Sequence, residues 1–270
     1  MLIKLLKYDI RSTWRHFAGA YLAILLGVII LPQVFKYVDN VFANVLAGFI
    51  ATAIITATVA VTIIMIFKIF NANVFSKQGY LTMTLPATST EIVSSKLLVS
   101  TMWVVLTGIV AALGIFIFIW GTPVSGDFFS GGRELLAMLE GRQVLAAVLI
   151  VIIIVMSAVK EIAKLFLACS IAHLKPLGRF RVLVGILSYF VFSWLEALLL
   201  KAIAFVAGNI PGVQSYVSQL TLINGFGTGV DDFYGVFNGA IGLGILYAVI
   251  LVVIYSIGTI WILNHKLDLD

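Results

Sequence analysis

Six apolar runs, each long enough to cross a bilayer, dictate what this chain can fold into. A helix rises about 1.5 Å per residue, so roughly 20 residues cover a hydrocarbon core of about 30 Å. Runs of that order lie at about 17–35, 41–67, 97–120, 144–172, 182–207 and 236–263. Inside hydrocarbon every backbone N–H and C=O must find a partner, and an uninterrupted apolar run does so as a helix. The expected fold class is an all-α integral membrane protein with six transmembrane helices, forming one membrane domain over residues 1–270. Composition agrees: 62% of the residues are hydrophobic and 11% charged, against about a quarter charged in a soluble domain.

The basic residues orient the spans. With the N-terminus inside, the cytoplasmic segments hold Lys4, Lys7, Arg11, Arg15, Lys68, Lys77, Lys96, Lys175, Arg179, Arg181 and Lys266. The outer loops hold only Lys36, Arg133 and Arg142. Both termini are therefore expected in the cytoplasm of a multi-pass plasma-membrane protein. The net charge of +5 describes an inner face turned to anionic lipid and needs no nucleic acid to explain it. Residues 1–15 place Leu2, Leu5, Leu6, Ile10 and Trp14 near helical spacing, with Lys4, Lys7, Arg11 and Arg15 between them. That pattern predicts an amphipathic helix lying in the membrane interface. No small-residue cleavage site follows the first apolar run, which is expected to be retained. The single Cys169 precludes an intrachain disulfide, and His16, His173 and His265 have no metal-ligand spacing.

Between spans two and three lies a polar elbow, residues 68–96, KIFNANVFSKQGYLTMTLPATSTEIVSSK. Gly79 is a hinge, and Pro86 disfavours helix at Leu85. Thr88 followed by Glu91 fits a capping box opening a helix into span three. The segment reads either as a rigid lever or as an ordinary connection with a well-capped helix.

Lys77–Ser100, KQGYLTMTLPATSTEIVSSKLLVS, resembles the GYLTLTLP…SKLL block of bacterial ATP-binding cassette (ABC) type-2 permeases, membrane subunits common in Gram-positive bacteria. The opening MLIKLLKYDIRSTWRHF and the tail ILNHKLDLD are similar to that family's ends, with Asp268 where Asn is commoner. The resemblance implies an ABC type-2 exporter permease fold, paired with a second permease subunit that is the same or a homologous chain. It makes residues 68–96 a coupling segment docking on ABC ATPase subunits, with Lys77, Gln78, Gly79, Tyr80, Pro86, Thr88 and Glu91 as its contact residues. The chain has no G-x-x-x-x-G-K-[ST] phosphate loop, so ATP and Mg2+ are expected on the partner ATPase and no cofactor on this chain. The implied activity is export or clearance of an amphipathic substrate, such as an antimicrobial or other membrane-active peptide, or a lipid.

Ionisable residues within spans are costly and mark functional sites by default. Lys160, Glu161 and Lys164 interrupt span four, where Glu161 can pair with Lys164 at i, i+3 and Lys160 can snorkel. They read as an ion cluster or as part of a substrate cavity. Glu196 lies 15 residues from Arg181 and 11 from Ala207, roughly 22 and 17 Å along the axis. A short acid at that depth must be protonated, paired, or facing a wet cavity such as one between two subunits. Were these charges ion-coupling groups, the chain would be a secondary transporter, although no internal repeat is visible. An intramembrane enzyme needs a converging catalytic set, and no H-E-x-x-H or comparable pair occurs. Thr52, Thr56, Thr58 and Thr62 in span two, and Ala240, Gly244 and Ala248 in span six, read as helix-packing features.

Overall fold

In a computed structural model the described residues are 2–37, 41–74, 88–121, 126, 130–134, 141–174, 180–209 and 230–265. They contain six long helices: α1 (Leu2–Tyr37), α2 (Val41–Val74), α3 (Ser89–Gly121), α4 (Gly141–Ala172), α5 (Arg181–Gly208) and α6 (Val230–His265). All six are long and apolar enough to cross a membrane. The described residues are thus helical, with six candidate spans among them, as the apolar runs predict. The helices outrun those runs, however. α2 continues past Phe67 to Val74, and α3 begins at Ser89 rather than Leu97, extensions of about 10–12 Å. Of the elbow, residues 68–74 and 88–96 are described; Lys77, Gln78, Gly79, Tyr80 and Pro86 lie outside the described residues.

The helices pack as two units, Met1–Met138 and Leu139–Asp270. In the first, α1 packs most extensively on α3 and also on α2. Phe17 stacks on Trp103 with ring centroids 4.3 Å apart and planes 5° from parallel. The Tyr21 hydroxyl shares a hydrogen bond with Thr107 Oγ1 at 2.9 Å and donates to the Trp103 carbonyl at 3.2 Å, and Trp103 Nε1 donates to Thr13 Oγ1 at 2.9 Å. Partners advance together along both chains, so α1 and α3 run parallel. Ile69 of α2 and Val99 of α3 close the same buried cluster, against which Leu6 and Ile10 pack.

That cluster corrects the reading of residues 1–15. They are not a separate helix but the first turns of an unbroken α1, and part of their apolar face lies on protein. The physical reason is Asp9, a buried acid on the apolar stripe. An acid there cannot face hydrocarbon and must meet a cation. Lys4, Lys7, Arg11 and Arg15 remain exposed on the other side.

In the second unit α4 is central, packing on both α6 and α5. Gly244 meets Ile153 and Gly258 meets Leu167, so α4 and α6 run parallel. Gly185 meets Ala172 while Glu196 meets Lys160, so α5 runs antiparallel to α4. A Cβ on Gly244 would stand 2.8 Å from Ile153 Cδ1, and Ala248 is buried. Those two small residues serve contact within the chain, whereas Ala240 is exposed. Thr52, Thr56, Thr58 and Thr62 each bond to a carbonyl of their own helix, at 2.7–2.9 Å.

Candidate functional site

Four charged residues of the second unit converge on one point. Lys160, Glu161 and Lys164 share one side of α4 because helical neighbours at i, i+3 and i+4 do. Antiparallel α5 brings Glu196 to the same level. The Glu161 carboxylate spans both lysines, Oε1 at 2.9 Å from Lys160 Nζ and Oε2 at 2.8 Å from Lys164 Nζ. Glu196 does the same from the other side, Oε2 at 2.7 Å from Lys160 Nζ and Oε1 at 3.3 Å from Lys164 Nζ. The result is a closed square of alternating charge.

Two tyrosines complete it. Tyr189 of α5 donates to Glu161 Oε2 at 2.7 Å, and Tyr255 of α6 donates to Glu196 Oε1 at 2.6 Å. The Lys164 ammonium also lies 4.8 Å from the centroid of the Tyr189 ring, within cation–π range. All three helices of the unit meet here, and two ammonium groups balance two carboxylates. Neutrality and full hydrogen bonding are what let charge persist in such surroundings. Exposure differs sharply among the members. Lys164 is 2% exposed and Glu196 9%, while the Glu161 side chain is 41% exposed.

Of the three alternatives for Glu196, pairing is the one the described residues display. The expected Glu161–Lys164 pair forms. Lys160 does not snorkel: its ammonium turns inward to two carboxylates, which replace the water it would otherwise seek. Tyr189 and Tyr255 carried no sequence signal, being neutral aromatics among many.

A second buried pair lies in the first unit. The Lys96 ammonium binds Asp9 Oδ1, with Asp9 2% and Lys96 3% exposed. Asp9 Oδ2 and Ser100 Oγ, one turn beyond Lys96, are buried without a hydrogen-bond partner among the described residues. Lys96 closes the elbow in sequence, and its tie to α1 joins residues 87 positions apart. The signal was available: Asp9 interrupts the stripe formed by Leu5, Leu6, Ile10 and Phe17.

At the elbow itself the capping box forms as expected. Glu91 N–H donates to Thr88 Oγ1 at 3.3 Å, and Thr88 N–H donates to Glu91 Oε2 at 3.1 Å. Among the described residues no group of three or more His, Cys, Asp or Glu is placed to hold a metal. Comparison with protein-family models, curated proteins and solved structures finds no match.

Proposed function

We propose that this chain is the permease subunit of an ABC type-2 transporter in a bacterial plasma membrane, exporting or clearing an amphipathic substrate with energy from separate ATPase subunits. The elbow carries this reading. Its sequence resembles the coupling block of such permeases, and its described end is mechanically continuous with the first unit. The reciprocal cap at Thr88 and Glu91 fixes the helix start, and two turns later Lys96 is tied to Asp9 of α1. A push on residues 77–91 would thus reach α3 and α1 together rather than dissipate in a loop. In this reading ATP and Mg2+ sit on the partner ATPase, a second permease subunit completes the pathway, and Glu196, Lys160, Glu161 and Lys164 stabilise the helices that move.

The test is co-purification with the ATPase encoded beside this gene. A charge or glycine substitution between Lys77 and Glu91 is expected to leave folding intact while abolishing ATPase stimulation and transport together. Failure of that ATPase to bind would sink the proposal. The charge square favours one other reading, an ion-coupled secondary transporter, since buried acids and lysines within spans are the usual coupling groups. Activity that follows an ion gradient and ignores vanadate would select it.

A further inference from the structure

The exposed face of α1 changes its chemistry at one level. Lys4, Lys7, Arg11 and Arg15 follow one another at steps of three or four residues, and the same side continues into the exposed Ala18, Leu22 and Ile29. The face is thus basic over the first turns and apolar over the next ones. Three helices locate the change relative to a bilayer. Phe17 of α1, Ile69 of α2 and Val99 of α3 meet in one buried cluster. The apolar runs of those helices end beside it, at Phe17, Phe67 and Leu97, and the exposed Lys68 marks the same level on α2. The level of Phe17 is therefore an edge of the hydrocarbon layer.

Because α1 is unbroken from Leu2 to Tyr37, its first turns continue the direction of the span. Arg15 then stands about 3 Å beyond the edge, Arg11 about 9 Å, Lys7 about 15 Å and Lys4 about 20 Å. A tilt of about 20° shortens these distances by only about 6%. The headgroup layer is about 5–8 Å deep on each side of the hydrocarbon. Arg15 lies within it, and Arg11 reaches it with its long side chain. The two lysines stand outside it.

The surroundings of the two arginines suit an anionic amphiphile. Asp9 is the one acid in α1, and it is turned into the protein and taken by Lys96, so the exposed face holds no anion of its own helix. Trp14, 49% exposed, neighbours Arg11 at i, i+3, and tryptophan is favoured at headgroup depth. Ala18 and Gly19 form the next turn above Arg15, where a Cβ on Gly19 would meet nothing within 4 Å. That shallow step joins the arginines to the apolar side chains of Leu22 and Ile29. Guanidinium forks match the oxygens of a phosphate.

We propose that Arg11, Trp14 and Arg15 bind the headgroup of an anionic phospholipid, whose glycerol lies over Ala18 and Gly19 and whose acyl chain follows Leu22 and Ile29. The inference uses the spans of the first unit and no part of the permease reading.

The test uses the full chain purified in a neutral detergent at physiological salt, with phosphatidylglycerol, phosphatidylcholine and inorganic phosphate as separate probes. Native mass spectrometry reads the dissociation constant of the first bound lipid. R11Q/R15Q is expected to weaken phosphatidylglycerol binding about thirtyfold, or about fivefold per arginine at headgroup depth, and to leave phosphatidylcholine binding unchanged. K4Q/K7Q removes the same charge from the same face. It is expected to weaken phosphatidylglycerol binding by less than about threefold, because both lysines stand about a Debye length from the headgroups. All four positions are exposed, so both variants should keep the thermal midpoint of the lipid-free chain. Should R11Q/R15Q lose it, R15Q alone decides, with an expected loss of about fivefold. Equal losses in the two pairs overturn the site in favour of diffuse attraction along the face. Indifference to R11Q/R15Q overturns it outright and leaves the face to an acidic protein surface. Displacement of phosphatidylglycerol by inorganic phosphate at matched ionic strength overturns the lipid assignment and leaves a free-anion site.

Discussion

The Asp9–Lys96 pair gives the sharpest test of how the first unit is held together. Both groups are almost wholly buried, so K96M leaves Asp9 as an uncompensated charge next to the Phe17–Trp103 core. Removing one member of a buried pair costs about 3–5 kcal/mol, a large fraction of the roughly 5–15 kcal/mol by which folded proteins exceed their unfolded states. D9L is expected to cost a similar amount, because it strands the Lys96 ammonium. The double variant D9L/K96M should behave differently. It replaces two ions by apolar groups of related size, and such replacements are often neutral or stabilising by about 1–4 kcal/mol. It also removes the unpartnered Asp9 Oδ2, itself a cost of about 1–3 kcal/mol when buried and unsatisfied. Reversible denaturant titration of the four proteins in one detergent yields the coupling energy directly. The double variant is expected within about 1 kcal/mol of the unaltered chain, or above it, with a large coupling energy. A K96M cost under about 1 kcal/mol, or a double variant as unstable as the sum of the singles, refutes the reasoning. The same double variant separates stability from function: if the pair transmits force from elbow to α1, it folds well but uncouples ATPase stimulation from transport.

Two further outcomes follow from the contacts of Glu196 and Thr88. E196Q removes a carboxylate that spans two lysines, leaving the square with an unbalanced positive charge. It is expected to lower stability by about 3–5 kcal/mol, partly recovered in E196Q/K160M, and unchanged stability and unchanged transport would together show that Glu196 is inert. T88A removes the acceptor for the Glu91 amide and should cost about 0.5–2 kcal/mol. Hydrogen exchange at the first turn of α3 is expected to accelerate while the helix beyond Lys96 keeps its protection, and uniform protection in both proteins would contradict the cap.

What could be read from the sequence follows from the physics of each signal. Apolar length is a local property, and it locates six helices without knowledge of their neighbours. The cap at Thr88 and Glu91 is equally local, since both partners lie within one turn. The Glu161–Lys164 contact is fixed by helical spacing alone. Packing partners are another matter. Nothing in the order of residues brings Lys96 to Asp9, or Glu196 to Lys160, until parallel α1 and α3 and antiparallel α4 and α5 set the register. An ionisable residue in an apolar run does announce that a partner is owed, because a lone charge there is prohibitive. It announces the debt without the identity of the partner. Amphipathicity in residues 1–15 was likewise ambiguous, since a stripe that can lie on lipid can also lie on a neighbouring helix. Asp9 decides between them: a lipid surface has no place for a buried carboxylate, whereas a helix carrying Lys96 and Trp103 at the matching level supplies both a cation and a ring to stack on. The acid that interrupts the stripe is the residue that identifies what the stripe packs against.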